Sequence, residues 1–254
     1  MTAHANVRAS PSAQMTVPRH PPDSPPRAVE AAAELTSRVM ESLRTSRPAF
    51  HTEADFQHAF AWESHVLRPE MKVRLERRLS AQTNDRLDLL FAADGLTIAV
   101  ELKYPVTGLD ATVDDEPFVL RKQGAEDRMR FGYIWDIVRL ERLVSAGVAD
   151  VGVAVLLTNV VQLWEPPKPN KRVAADTEFR LYEGRELAQR LAWTGDAVWW
   201  HKEKVPEAVE LAGRYRVAWA PYSIVPGTGR GEFRWTKAVV AATPAGEALF
   251  EPTA

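Results

Sequence analysis

Cysteine is absent from this chain of 254 residues, and that absence limits its chemistry. Without cysteine the protein forms neither disulfides nor thiolate metal sites. The chain also lacks any run of about 18 consecutive apolar residues, which excludes a membrane-spanning helix and argues against a membrane partner. Its formal net charge is only −2, so overall charge gives no reason by itself to expect a nucleic-acid partner. A chain without cysteine is compatible with an intracellular protein, and we expect a cytoplasmic location.

The composition divides the chain into three parts. Residues 1–27 are rich in alanine, serine, proline and arginine without apolar periodicity, which predicts a disordered N-terminal arm. Residues 28–164 carry the strongest hydrophobic patterns and are predicted to form the core domain. Residues 165–254 are predicted to be an extension packed on that core, with an accessory hairpin made of strands at 215–220 and 232–240.

The core is predicted to be an α/β domain. Its expected elements are a helix at 28–43, a helix from Thr52 to before Pro69, a strand at 71–78, a hairpin over 86–103, a helix at 125–146 and a strand at 151–157. The last strand is an almost continuous apolar run, typical of a strand that is buried on both faces. Because a helix connects the hairpin to this strand, we expect helices packed on a mixed sheet. Residues 104–122 show no clear pattern and are predicted to be irregular.

The hairpin places charged residues inside two apolar strands. Asp94-Gly95 between β-prone runs is a strong signal for a two-residue loop. Counting inward from that loop places Asp88 directly opposite Glu101, and Lys103 on the same face as Glu101. Opposed residues have Cβ atoms roughly 4.5–5.5 Å apart, where two carboxylates destabilise the pair unless a cation or a proton lies between them.

A hard divalent cation would explain this arrangement. Mg²⁺ prefers oxygen ligands and is commonly held by one or two carboxylates together with a substrate phosphate, and Mn²⁺ is an alternative. Lys103 would then position an attacking water, help to deprotonate it, or stabilise charge on the phosphate. The alternative is a surface hairpin whose carboxylates are solvated and paired with Arg86 and Lys103. A register slip of one residue would place Asp88 and Glu101 on opposite faces.

At these residues the chain resembles the PD-(D/E)xK nuclease superfamily, which has the restriction-endonuclease-like fold. Leu87-Asp88 takes the place of the Pro-Asp of that motif, and Glu101-Leu102-Lys103 matches its Glu-x-Lys. Many members add an acidic residue from the preceding helix, and Glu53 resembles that residue. The resemblance implies a sheet flanked by helices, with Glu53, Asp88 and Glu101 as ligands of Mg²⁺ and with Asp88, Glu101 and Lys103 as the catalytic set. The alternative for Glu53 is a carboxylate that stabilises a helix N-terminus.

Further residues near these motifs are candidates for contact with nucleic acid. Four basic residues flank the start of the long helix, where phosphate groups would meet both cationic side chains and helix N–H groups. They are Arg121, Lys122, Arg128 and Arg130. Gln57 lies one helical turn after Glu53, so both side chains are expected to reach a shared cleft. The alternatives are a solvated helix face for the basic residues and a capping role for Gln57.

The leading hypothesis from the sequence is a metal-dependent nuclease that acts on DNA as an endonuclease. The first alternative is a nucleic-acid-binding module without catalysis on the same fold. The second is a hydrolase that uses Asp88 and Glu101 as a metal-independent acid and base pair, in the manner of glycosidases whose carboxyl groups are about 5–5.5 Å apart. The sequence does not decide between DNA and RNA or between endonucleolytic and exonucleolytic cleavage, and it leaves a homodimer open.

Overall fold

The computed structural model describes residues 25–79, 85–167, 174–194 and 205–242. Within these residues the helices are α1 (Pro25–Ser46), α2 (Glu53–Leu67) and α3 (Glu126–Ser145). The strands are β1 (Lys72–Arg78), β2 (Arg86–Ala93), β3 (Leu96–Lys103), β4 (Leu109–Val113), β5 (Glu116–Leu120), β6 (Val151–Thr158), β7 (Glu186–Ala192), β8 (Ala208–Arg216), β9 (Ala220–Ile224), β10 (Gly227–Gly229) and β11 (Glu232–Ala241). No helix in these ranges has the length and apolar character needed to cross a membrane.

A six-stranded mixed sheet organises the molecule, in the order β1-β2-β3-β6-β11-β9. β3 and β6 run parallel, and the other neighbours in this sheet run antiparallel. A parallel pair needs a crossover connection, and the segment that contains α3 provides it. All eight residues of β6 are buried, as its apolar sequence predicts. The expected α/β class is therefore confirmed.

The β2–β3 hairpin has the predicted register. Ala93 pairs with Leu96, and the pairing continues to Leu89 and Val100. The two loop residues both adopt left-handed backbone conformations, with φ values of 51° at Asp94 and 81° at Gly95. Two positive φ values are what the favoured two-residue hairpin loop requires, and asparagine, aspartate and glycine tolerate them best. The loop therefore fixes the register that brings the ends of β2 and β3 together.

The helices pack on opposite faces of the central sheet. On one face α1 and α2 bury Met40, Phe56 and Phe60 in a core that includes Phe91 of β2. On the other face the apolar stripe of α3 packs over residues of β3 and β6 whose side chains are small or aliphatic. The buried stripe of α3 is spaced at three and four residues, as an amphipathic helix requires. We call these two surfaces the α1–α2 face and the α3 face.

The C-terminal region differs from the predicted accessory hairpin. β11 pairs with β6 from Arg234–Thr158 to Ala241–Val151 and therefore belongs to the central sheet. β9, rather than a strand at 215–220, is the partner of β11 on its other side. β7 and β8 form a separate two-stranded sheet whose apolar side chains join the core under the α3 face. The predicted N-terminal arm lies outside the described residues, except for its last three residues, which begin α1.

The segment predicted to be irregular contains the hairpin of β4 and β5. Its turn consists of Asp114 and Asp115, with φ values of 49° and 67°. β10 adds a third strand to this small sheet. Gly229 has a φ of 114°, and a Cβ atom there would lie 2.3 Å from the carbonyl oxygen of Gly108, so only glycine fits. Two acidic residues in sequence suggest a solvated loop, and for that reason the sequence did not predict this hairpin.

Candidate active site

The three motif residues lie at the end of the β2–β3 hairpin. The backbone pairing stops at Leu89 and Val100, and the carboxylate of Asp88 accepts a hydrogen bond of 2.8 Å from the backbone N–H of Leu102. Leu90 of β2 and Ala99 of β3 both pack on the α3 face.

Because side chains alternate along strands, Glu101 and Lys103 lie on the same face as Ala99. Asp88 interacts electrostatically with Glu101, Lys103 and Asp136, so its carboxylate lies on that side as well. The predicted grouping of the three charged side chains is therefore present on the α3 face. The negative charge of Asp88 raises the pKa of Glu101.

Glu101 is a buried carboxylate with few partners. Only 1% of the residue is exposed, and neither carboxylate oxygen forms a hydrogen bond within the described part of the chain. Arg139 places Nη1 at 3.1 Å from Oε1, a distance that suits an ion pair although the hydrogen-bond angle is poor. Burial raises the pKa of Glu101 to about 9, the carboxylates of Asp136 and Asp88 add to the rise, and Arg139 and Lys103 oppose it. Burial therefore favours the protonated form of Glu101, and a cation bound beside it would favour the carboxylate.

Lys103 lies between carboxylates that come from two helices. Its Nζ is 3.1 Å from Oδ2 of Asp136 on α3 and 4.0 Å from Oε1 of Glu53 on α2. Burial tends to lower the pKa of Lys103, but the carboxylates of Asp136, Glu53 and Asp88 outweigh burial and raise it. The amine is therefore a protonated ammonium group, which donates hydrogen bonds and stabilises negative charge but does not act as a base.

Glu53 is held beside Lys103 by the end of β3. The side chain of Thr52 caps α2 by accepting a hydrogen bond of 3.0 Å from the backbone N–H of Asp55, so Glu53 is the first helical residue. Oε2 of Glu53 accepts a hydrogen bond of 2.9 Å from the backbone N–H of Tyr104. The carboxylate is thus fixed next to the Glu-x-Lys motif while the side chain remains 41% exposed.

Two further charged residues belong to this cluster, and the sequence interpretation missed both. Asp136 and Arg139 are three residues apart on α3 and suggest an ordinary surface pair. Instead Asp136 is 3% exposed, and burial raises its pKa while the Lys103 ammonium opposes that rise. Asp136 lies among Tyr133 and Ile137 on the buried stripe of α3, and that position is the signal that identifies it.

Three of the predicted nucleic-acid contacts are exposed near the start of α3. Nη1 of Arg121 lies 2.7 Å from Oδ1 of Asp110, and Nζ of Lys122 lies 3.1 Å from Oε1 of Glu126. Arg128 is exposed in the first turn of α3. The loop before α3 is joined to the segment after Lys103, because the backbone N–H of Gln123 donates to the carbonyl of Val106. This loop therefore lies beside the segment that follows β3.

Arg130 and Gln57 have buried side chains. Arg130 is 2% exposed, pairs with Asp176 and donates a hydrogen bond of 2.7 Å to the carbonyl of Gln162. A side chain so enclosed has no surface to offer a phosphate, so we leave Arg130 out of the proposed nucleic-acid surface. Gln57 is 8% exposed, one turn after Glu53 on α2.

The cluster suits a hard cation in its chemistry. It contains four carboxylates and two basic groups, and its formal charge is −2 when all of them are ionised, so it repels phosphate unless another cation is added. The members are Glu53, Asp88, Glu101 and Asp136 with Lys103 and Arg139. The potential metal ligands are all carboxylate oxygen atoms, which suit Mg²⁺. The two carboxylate oxygens of Glu101 form no hydrogen bonds within the described residues.

Lys103 and Arg139 lie against the carboxylates in this arrangement. Within the described ranges, metal-binding geometry is not found for any set of three or more histidine, cysteine or acidic side chains. Comparison with known proteins adds no relative: no family model, no curated protein and no solved structure matches this chain.

Proposed function

We propose that this protein is a metal-dependent nuclease with a restriction-endonuclease-like fold, which hydrolyses phosphodiester bonds in DNA. The observation that carries the proposal is the placement of Asp88, Glu101 and Lys103 on one face at the end of the β2–β3 hairpin, with Glu53 beside Lys103. The element order α2, β1, β2, β3, α3, β6, with the β4–β5 hairpin inserted between β3 and α3, supports the fold assignment, because the resemblance implies a core of one helix, three strands, a helix and a strand. Clustered carboxylates beside a lysine suit phosphoryl chemistry better than a binding role without turnover.

Glu53, Asp88 and Glu101 would hold one or two Mg²⁺ ions, with Mn²⁺ as a substitute. When bound, such an ion neutralises charge on the phosphate and lowers the pKa of a bound water. The buried carboxylate of Glu101 supports this assignment, because its ionisation needs positive charge beyond that of Arg139 and Lys103. The hydrogen bond from the Tyr104 N–H to Glu53 holds one ligand rigidly in place.

Lys103 would act through its positive charge. As an ammonium group it donates hydrogen bonds, so it can orient the attacking water or stabilise negative charge on the scissile phosphate in the transition state. Asp136 is a positioning residue in this proposal, since it holds the ammonium at 3.1 Å. The proton of the attacking water therefore leaves to solvent or to the substrate rather than to Lys103.

The test is a Mg²⁺ titration with supercoiled, linear and single-stranded DNA and with RNA. Asp88→Asn is compared with Asp94→Asn, which makes the same change in the loop of the same hairpin, where asparagine tolerates the positive φ of 51°. We expect cleavage that depends on Mg²⁺, lost by at least about 10²-fold in Asp88→Asn and retained in Asp94→Asn. Cleavage by Asp88→Asn at the wild-type rate would refute the assignment.

One observation favours a second candidate, an acid and base hydrolase without metal. The raised pKa of Glu101 favours its protonated form, which a general acid needs, while Asp88 is partly exposed beside it. Against this candidate, the Glu101 side chain has no solvent-exposed surface with which to reach a substrate. Activity that survives EDTA would favour the second candidate, and activity lost in EDTA and restored by Mg²⁺ would favour the nuclease.

A further inference from the structure

The outer strand β1 is an exposed edge rich in positive charge. Six of its seven residues are exposed, and Val73 is partly buried. We call its four basic residues the β1 basic edge: Lys72, Arg74, Arg77 and Arg78. Within the described ranges none of these four forms an ion pair, whereas Glu76, the one acidic residue of the strand, lies 4.0 Å from Arg86. These side chains are therefore available to a partner with negative charge.

The β1 basic edge flanks the candidate active site. Arg74 pairs with Leu90 and Arg77 pairs with Leu87, on either side of Asp88 along β2. Leu87 and Leu90 both belong to the core under the α3 face, so their partners on β1 face that side as well. Regular alternation would separate Arg74 from Arg77, but the backbone between them is irregular, with a φ of 49° at Glu76.

The β1 basic edge supplies the positive charge that the acidic cluster lacks. The cluster repels phosphate, so the free energy for holding a nucleic-acid strand has to come from cationic groups beside it. Guanidinium groups suit that purpose because their planar donors match phosphate oxygens in pairs. Contacts of this kind position the backbone without reading the sequence.

We propose that the β1 basic edge binds the phosphate backbone of the nucleic-acid substrate and holds the strand against Asp88. This inference rests on the proposed function for what is cleaved, but the binding it describes needs no metal. Arg74 and Arg77 contact the phosphates nearest to Asp88, and Lys72 and Arg78 extend the contact along the strand.

A structural role would also explain charge on an edge strand. Lysine and arginine at sheet edges prevent pairing with a second molecule and thus prevent aggregation. That role predicts self-association after the charges are removed, and no change in the affinity of the monomer for nucleic acid. The affinity of the monomer for nucleic acid therefore distinguishes the two roles, because only the phosphate-binding role predicts that it falls.

The experiment measures binding of a fluorescent DNA duplex, and of one of its strands alone, over a range of salt concentrations in EDTA. Arg74→Ala/Arg77→Ala is compared with Arg190→Ala/Arg214→Ala, which removes two exposed arginines from the β7–β8 sheet. We expect affinity at least about tenfold weaker in the first variant and near the wild type in the control. The dependence of log affinity on log salt should also fall by about two in the first variant. Arg74→Lys/Arg77→Lys should restore most of the salt dependence, because lysine keeps the charge.

The outcomes separate this inference from the nuclease proposal. Equal affinity in Arg74→Ala/Arg77→Ala and the wild type overturns the β1 basic edge, whether or not the variant aggregates in size-exclusion chromatography. An equal loss in the control, or no binding by the wild type, overturns it too. If the wild type binds through these arginines but cleaves no substrate in Mg²⁺, the inference stands and the nuclease proposal fails. If the wild type cleaves DNA in Mg²⁺ and removing the two arginines leaves affinity unchanged, the nuclease proposal stands and this inference fails.

Discussion

The two faces of the central sheet are built for different purposes, and β3 contributes to both. On the α1–α2 face, β3 presents Val100 and Leu102 to an aromatic core. On the α3 face, two residues of the same strand are Glu101 and Lys103. One strand can serve both purposes because its side chains alternate between the faces. The same strand thus carries buried charge on the α3 face and apolar side chains on the α1–α2 face.

The two faces also differ in whether their buried polar groups form hydrogen bonds. On the α1–α2 face the hydroxyl of Tyr104 accepts a hydrogen bond of 3.0 Å from the backbone N–H of Phe50. On the α3 face both carboxylate oxygens of Glu101 are buried without hydrogen bonds within the described residues, and Oδ2 of Asp136 lies 3.1 Å from Nζ of Lys103. Unsatisfied buried groups reduce stability and are common where a site binds a ligand.

The largest effect on stability should come from the α1–α2 face. Phe60 is 1% exposed and packs edge-on against Phe56, with ring centroids 6.1 Å apart. We expect Phe60→Ala to lower the free energy of unfolding by roughly 3–5 kcal/mol, through lost burial and a residual cavity. Denaturant titration measures this change. The cleavage rate per folded molecule should stay near the wild type, and a large loss of that rate would break the proposed division between the faces.

Two lysines of the sheet provide the next test. Lys103 lies on the α3 face, and Lys237 of β11 reaches the α1–α2 face, where it donates a hydrogen bond of 2.8 Å to the carbonyl of Ala33. Lys103→Ala should lower kcat by roughly 10²–10³-fold, because a positive group beside the scissile phosphate is lost. Lys237→Ala should leave kcat unchanged. Steady-state cleavage kinetics measure both, and similar kcat values for the two variants would contradict the role of Lys103.

Glu101 should reduce stability when no cation is bound. Burial raises the pKa of Glu101 from an ordinary 4.5 to about 9. The carboxyl group therefore costs no stability below the lower value, and the free energy of unfolding falls as pH rises from the lower value toward the higher one. Asp136, Asp88, Arg139 and Lys103 are the charged groups that surround it. In EDTA near neutral pH, Glu101→Gln should therefore be more stable than the wild type by roughly 2–3 kcal/mol.

The comparison for Glu101→Gln is the unfolding free energy at several pH values. The advantage of the variant should shrink in mild acid, where the wild-type carboxyl is protonated in both states. Added Mg²⁺ should stabilise the wild type and leave the variant nearly unchanged, since binding to the folded state raises stability. A variant that is less stable than the wild type at every pH would show that the carboxylate is structural.

The smallest effect should come from the positioning residue. Asp136→Asn removes the charge 3.1 Å from Nζ of Lys103 but keeps the shape of the side chain. We expect kcat to fall by about tenfold with KM unchanged, because Lys103 loses orientation rather than substrate contact. Asp136→Glu should recover part of the rate if the charge is what matters. A change confined to stability, with kcat intact, would restrict Asp136 to a structural role.

Local sequence patterns predicted the β2–β3 hairpin and the strand β6, which lie at the centre of the main sheet. Asp94-Gly95 with alternating β-prone residues fixes the β2–β3 register, and the apolar run of β6 identifies a strand buried on both faces. These signals depend on neighbours in sequence, so they can be read without a structure. The placement of Asp88 and Glu101 on one face follows from them by counting.

The parts that sequence could not predict depend on distant contacts. β11 joins the central sheet through pairing with β6, about 80 residues earlier, and strand pairing over such a distance leaves no local signal. Arg130 is buried because Asp176, 46 residues away, covers it. Asp136 and Arg139 form a pair that the sequence cannot assign to surface or interior until α3 is placed over Glu101. The charge balance of the site was therefore visible only in the structure.

The central claim is that Asp88 and Glu101 share a divalent ion, and a crystal structure of the protein soaked in Mn²⁺ tests it most directly. The account predicts anomalous density for Mn²⁺ within about 2.0–2.3 Å of a carboxylate oxygen of each residue. In that structure Glu101 should have moved away from Arg139, with which it is paired at 3.1 Å. Density absent from the cluster at saturating Mn²⁺, with Glu101 still paired to Arg139, would contradict the account.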